Sequence, residues 1–121
     1  TAGTHGTTFG GNPVGAAAAC CVLDTIDQDF LDKVKEQGDY LRTQIEAMDI
    51  PCLGKTRGMG LMIGIAVSDG YNKGEIAAKL IENGLLVLTA GPGMRLLPPL
   101  TITKAEMDQG LAIIEKTLKT Y

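Results

Sequence analysis

One histidine, His5, serves the whole 121-residue chain. Any imidazole chemistry must use it, and no Ser-His-Asp order or Cys-His pair can be assembled around an isolated histidine near a terminus. It reads as a structural or bystander group. Arginine is nearly as scarce, with Arg42, Arg57 and Arg95 the complete set beside three tyrosines and a formal charge of −3. That composition gives no basic, aromatic stripe for DNA or RNA. No apolar run approaches the roughly 20 residues a membrane-spanning helix needs. The start lacks a basic end followed by an apolar stretch, so no signal peptide is read there. Cysteine is sparse and odd in number: Cys20, Cys21 and Cys52. No Cys/His spacing suits zinc. Buried free thiols in a reducing cytoplasm are the expectation. Internal repeats and low-complexity segments are absent, and the length suits one domain.

What the chain does have begins with glycines and hydroxyls. Thr1-Ala2-Gly3-Thr4-His5-Gly6-Thr7-Thr8-Phe9-Gly10-Gly11-Asn12-Pro13 runs straight into an alanine-rich helix. Asn12 is a favoured N-cap and Pro13 a favoured first helical residue. The hydroxyls of Thr7 and Thr8 therefore sit just ahead of a helix N-terminus, a common place to hold a phosphate or carboxylate. The plain alternative is a polar lead-in. The lack of an initiator methionine and a start inside such a loop suggest an excised piece, with the Gly3–Asn12 loop mobile when its ligand is absent.

Further along, Pro13 to Thr25 reads as a helix whose small residues Ala16 to Ala19 allow close packing on a neighbour. A second helix is expected from about Asp27 to Met48, with Phe30, Leu31, Val34, Leu41, Ile45 and Met48 in one stripe. Asp27, Asp29 and Asp32 crowd its first turns, where carboxylates suit the helix dipole, and Ile50-Pro51 ends it. Leu61 to Val67 is a continuous apolar run, the pattern of a strand covered on both faces. Asp69-Gly70 and Asn72-Lys73-Gly74 read as turns. Glu75 to Asn83 reads as a short helix with Ile76, Ala77, Leu80 and Ile81 inward, closed by Gly84. Leu85–Thr89 and Met94–Leu97 read as strands around an Ala90–Gly93 turn, and Pro98-Pro99 stops the pairing. Thr103-Lys104-Ala105-Glu106 fits a capping box, and Met107, Leu111, Ile114 and Leu118 follow as a buried stripe. The sum is α+β: helices packed on a small, mostly antiparallel sheet.

Two phosphate-binding patterns fail on inspection. Gly54-Lys55-Thr56 lacks the glycine a nucleotide phosphate loop needs five positions earlier, where Asp49 stands. Gly58-Met59-Gly60 has Ile63 where a dinucleotide fingerprint needs glycine; these glycines read instead as shaping the approach to the Leu61 strand. Arg95 is different. It lies between Met94 and Leu96-Leu97, just before two prolines. An unpaired guanidinium in apolar surroundings is costly, and its planar fork suits a carboxylate held through two hydrogen bonds. A salt bridge to one of 14 acidic side chains, or an outward strand position, is the competing reading.

Three blocks together carry a family resemblance: Thr4 to Pro13, Arg57-Gly58-Met59-Gly60-Leu61-Met62-Ile63-Gly64, and Met94-Arg95-Leu96-Leu97-Pro98-Pro99-Leu100-Thr101-Ile102. In order and content they resemble the C-terminal part of class III, pyridoxal-phosphate-dependent aminotransferases, nearest the acetylornithine branch. The ornithine, succinylornithine and 4-aminobutyrate branches share the motifs. The resemblance implies the C-terminal domain of a fold type I aminotransferase over residues 13–121, preceded by a cofactor-phosphate contact segment over residues 1–12. It implies that Thr7 touches the substrate and that Thr8 bonds the cofactor phosphate in the other subunit of a homodimer. It implies that Arg95 grips the α-carboxylate of an amino-acid substrate. The cofactor-bearing lysine, the aspartate facing the pyridine nitrogen and the phosphate cup fall upstream of these blocks, so the chain alone is expected to be inactive, with no catalytic residue and no metal site of its own. An apolar face left by the missing part is expected to drive self-association through Ala16–Ala19 and the Leu61 region. The alternative reading is a free-standing α+β module that binds anions or partners without catalysis.

Overall fold

A computed structural model of the chain describes residues 3–119 and 121. It divides into two compact units, Thr1–Asp32 and Lys33–Tyr121, and each is taken by itself below.

The first unit is a loop followed by helix α1 (Pro13–Thr25) and the start of helix α2 (Gln28–Ala47). Asn12 caps α1 as expected: its side chain accepts from Val14 N at 2.9 Å and Gly15 N at 3.1 Å, with Pro13 in the first turn. Asp27 does the same for α2, accepting from Phe30 N at 2.8 Å. No residue of α1 is buried. Cys20 and Cys21 are exposed, against the expectation of buried thiols, whereas Cys52 of the second unit is fully buried. The reason lies in α1 itself. Its apolar residues run around the whole helix, so no single face could be turned inward.

The second unit holds the core. Its sheet is antiparallel throughout, with strands β1 (Leu53–Met59), β2 (Met62–Val67), β3 (Leu88–Ala90) and β4 (Gly93–Leu96) in the order β1-β2-β4-β3. The α+β expectation is met. Ile63 and Ile65 of β2 stand beside Leu96 and Met94 of β4, and all four are buried. Against them pack Leu41 and Ile45 of α2, Ile76 and Leu80 of helix α3 (Lys73–Glu82), and Met107, Leu111, Ile114 and Leu118 of helix α4 (Lys104–Leu118). The predicted α4 stripe is buried in full. Its capping box is complete: Thr103 Oγ1 accepts from Glu106 N at 3.3 Å, and the Glu106 carboxylate accepts from Thr103 N at 2.8 Å. The bonds that the Glu106 carboxylate accepts from Thr103 N and from Thr103 Oγ1 hold its carboxyl below its ordinary pKa.

Several local expectations shift. Strand β1 went unread because Leu53-Gly54-Lys55-Thr56-Arg57-Gly58-Met59 mixes glycine and charge where a strand usually shows apolar alternation. Asn72 is the N-cap of α3, accepting from Gly74 N at 2.9 Å, so Lys73-Gly74 open that helix instead of forming a turn. Ile81 and Leu31 face outward. Strand β2 is covered on one face only within this chain, since Met62 is exposed while Ile63 and Ile65 are not.

Helix α2 is fastened to the hairpin by polar and steric contacts together. Glu46 Oε1 accepts from Thr56 N at 2.9 Å and from Thr56 Oγ1 at 2.6 Å, which lowers the Glu46 pKa. Arg42 donates to Gly58 O at 2.6 Å and pairs with Asp39. A Cβ on Gly38 would lie 2.0 Å from Gly60 O, so only glycine permits this approach of helix to turn.

Candidate functional site: a two-arginine cleft on the open sheet face

Strand register decides what lies on the face opposite the core. Residues directly opposite one another in an antiparallel ladder share a face. Gly64 of β2 faces Arg57 of β1 on one side and Arg95 of β4 on the other. Two strand spacings separate the two arginine backbones, or about 10 Å. Leu88 is paired with Arg95 in turn, and it and Met62 give the face an apolar border.

A cleft of about 200 Å³ runs along this face, lined by Arg57, Gly64, Ala66, Ala90, Gly93 and Arg95 among others. Its lining carries two guanidiniums and no carboxylate. Among the described residues neither guanidinium has a hydrogen bond or ion pair. Arg95 is exposed, so of the readings open for it the outward strand position is realised and the internal salt bridge is not. The turn that closes the cleft is held by Lys73, whose Nζ donates to Gly91 O at 2.5 Å.

A larger hollow of about 340 Å³ lies between α4 and the Leu96-Leu97-Pro98-Pro99 segment, walled mainly by apolar side chains. Its charged group, Glu106, is occupied by the capping box. It offers nothing to an anion.

Thr7 and Thr8 belong to the first unit, Arg95 to the second. Both threonines are exposed, and neither hydroxyl is hydrogen-bonded among the described residues. The α1 N-terminus is a weaker anion trap than its sequence suggests, because Asn12 already satisfies two of its N–H groups and Pro13 has none. What this segment offers a phosphate is a free hydroxyl, which fits one contact of a cofactor phosphate and not a whole cup. His5 is exposed, and no grouping of His, Cys, Asp and Glu suited to a metal ion occurs among the described residues. Cys52 is sealed in the core, where burial pushes its thiol pKa up, which makes it a poor nucleophile. No helix among the described residues is long and apolar enough to cross a membrane.

The chain belongs to the aminotransferase class-III family, whose profile matches residues 1–118. Over 121 residues it is 48% identical to the acetylornithine aminotransferase of Lactococcus lactis subsp. lactis, an alignment covering 98% of this chain and 32% of that protein. Its fold matches the crystal structure of acetylornithine aminotransferase from Elizabethkingia anophelis with a TM-score of 0.84 at 34% identity, covering 100% of this chain and 33% of the other. Ornithine aminotransferase from Toxoplasma gondii, described with pyridoxal phosphate at partial occupancy in its active site, matches at 32% identity and a TM-score of 0.83, covering 99% and 30%. The chain thus spans about a third of the length of these relatives.

In the sequence Arg95 is singled out by its apolar neighbours, although in the fold it is exposed. Sequence reasoning gave Arg57 no role, although that residue opens the second family block. The missing signal was register: only pairing across Gly64 puts the two arginines on one face.

Proposed function

We propose that this chain is the C-terminal part of an acetylornithine-type aminotransferase, which moves the δ-amino group of N-acetylornithine to 2-oxoglutarate in arginine biosynthesis. The observation that carries the reading is Arg95, a guanidinium held on a rigid strand, free of any acidic partner and facing a cleft without carboxylates. Such a group is preorganised for a substrate carboxylate, since the sheet fixes its backbone before the ligand arrives. In this reading residues 1–12 are the cofactor-phosphate contact segment and residues 13–121 the C-terminal domain. Thr8 donates its hydroxyl to the phosphate of pyridoxal phosphate in the partner subunit of a homodimer. Thr7 touches the substrate, and Arg95 orients a substrate carboxylate. When bound, the cofactor supplies the carbonyl carbon that receives and returns the amino group. This chain's residues anchor and orient, and no lysine of the chain serves as the cofactor-bearing one. The chain alone is inactive, and the working enzyme is cytoplasmic.

The family match across residues 1–118 favours this over a non-catalytic anion- or partner-binding module. The likeness to ornithine aminotransferase supports a second reading in which free ornithine is the donor. Assay of the intact enzyme with N-acetylornithine, N-succinylornithine, ornithine and 4-aminobutyrate, each against 2-oxoglutarate, separates them. Highest kcat/KM on N-acetylornithine supports the proposal, and preference for another donor moves the chain to that branch. Borohydride reduction of this chain with pyridoxal phosphate, followed by peptide mass analysis, checks the division of labour. Scattered weak labelling of surface lysines is expected, and one stoichiometric adduct would contradict it.

A further inference from the structure

Arg57 has the features that single out Arg95, and one more. Its aliphatic stem lies flat across Gly64: a Cβ placed there would sit 3.2 Å from Arg57 Cγ and 3.3 Å from Nε. The guanidinium is carried over β2 to the β3–β4 turn, where a Cβ on Gly91 would lie 3.5 Å from Nη2. Two glycines thus leave the floor bare beneath one arginine, and the turn it reaches is pinned by Lys73. Arg57 and Arg95 stand on one face, and no carboxylate side chain lines the cleft they share. Like charges so placed repel, and an anion between them removes that repulsion while gaining donors from both.

We propose that Arg57 is a second arginine of the carboxylate subsite, so that the substrate's carboxylate end is held by two guanidiniums bridging Gly64 and not by Arg95 alone. The inference rests on the aminotransferase reading for a carboxylate as the ligand; the cleft itself calls for an anion. Arg57 supplies donors and charge. Gly64 supplies the space that lets it reach.

The test uses the intact, cofactor-loaded enzyme and two readouts. One is the KM for 2-oxoglutarate set against kcat. The other is the affinity for glutarate, a dicarboxylate that cannot react, measured by calorimetry. Arg57→Gln is expected to raise both the KM and the glutarate Kd about tenfold, as loss of a charge-assisted contact does, with kcat at saturation close to wild type. Arg57→Lys, which keeps the charge and loses the fork, is expected to recover part of the affinity. Gly64→Ala pushes the Arg57 stem off its seat and is expected to weaken glutarate binding in the same direction. Arg57→Gln with KM and glutarate Kd within about twofold of wild type overturns the proposal. Should that variant not fold, Gly64→Ala binding glutarate like wild type overturns it instead. The two failures are separable. A wild-type enzyme inactive on N-acetylornithine sinks the functional reading, while glutarate affinity needs no amino donor and still decides on Arg57.

Discussion

Helices α1 and α4 begin with equally good caps and end in opposite environments. Asn12 accepts from two N–H groups in the first turn of α1, and Thr103 accepts from Glu106 N in the first turn of α4. Beyond the cap, α4 turns Met107, Leu111, Ile114 and Leu118 into the core at three- and four-residue steps, while α1 buries nothing. Phe9, Val14 and Leu23 of the first unit are 80%, 77% and 70% exposed. A cap decides where a helix starts; only an apolar stripe against a partner surface makes it part of a cooperative fold. The first unit carries Thr7 and Thr8, proposed above to meet the substrate and the cofactor phosphate, and the second carries both the core and the arginine cleft.

That contrast can be broken most forcefully in the core. Ile114→Ala, at a site 2% exposed, is expected to cost about 2–5 kcal/mol. Leu23→Ala in α1 is expected to cost less than about 0.5 kcal/mol. Denaturant melts of the chain followed by circular dichroism check both, and comparable losses would erase the distinction. Next is Gly38→Ala, whose Cβ meets Gly60 O. Overpacking of that kind costs about 1–3 kcal/mol, and a backbone atom has little room to give. A shift of the same melting curve reads it.

Matched cap deletions sharpen the comparison further. Thr103→Ala is expected to lower global stability by about 1 kcal/mol. Asn12→Ala removes the same kind of bond and is expected to speed amide exchange in α1 while leaving the global midpoint in place.

The smallest effect is on acid stability. Glu46, Glu106 and Asp108 all lie in the second unit. Bonds from Thr56 lower the Glu46 pKa, bonds from Thr103 lower that of Glu106, and bonds from Lys104 and Tyr40 lower that of Asp108. A folded-state pKa below the unfolded one gives stability that is complete above the ordinary carboxylate range, near 4, and is lost as pH falls through the lowered values. Melting temperature should fall below about pH 4, modestly because the groups are exposed and salt screens them. Glu106→Gln should flatten part of that fall.

How far the sequence could be read follows the same division. Helix α4 was legible in cap, stripe and length because its signals are local and repeat every turn. The α+β architecture was legible for the same reason, from α2, α3 and the Leu61 run. Strand β1 was not, since Gly54, Lys55 and Gly58 have poor strand propensity and are held in place by pairing with β2 and by Glu46 and Arg42 of α2. Cys20 and Cys21 were misread because thiol burial is a property of a surrounding core, which α1 lacks within this chain. Arg95 stood out by its apolar neighbours in sequence. The relation of Arg57 to Arg95 did not, because a cross-strand register joins residues 38 positions apart through Gly64.

The most direct test of the account is the kinetics of Arg95→Gln in the intact enzyme, with N-acetylornithine and 2-oxoglutarate varied separately. The account predicts an intact fold by circular dichroism and a KM raised about 10- to 100-fold for the substrate whose carboxylate it holds, the loss of charge-assisted hydrogen bonds. A folded variant with both KM values within about twofold of wild type would contradict the claim that this cleft is where the substrate is gripped.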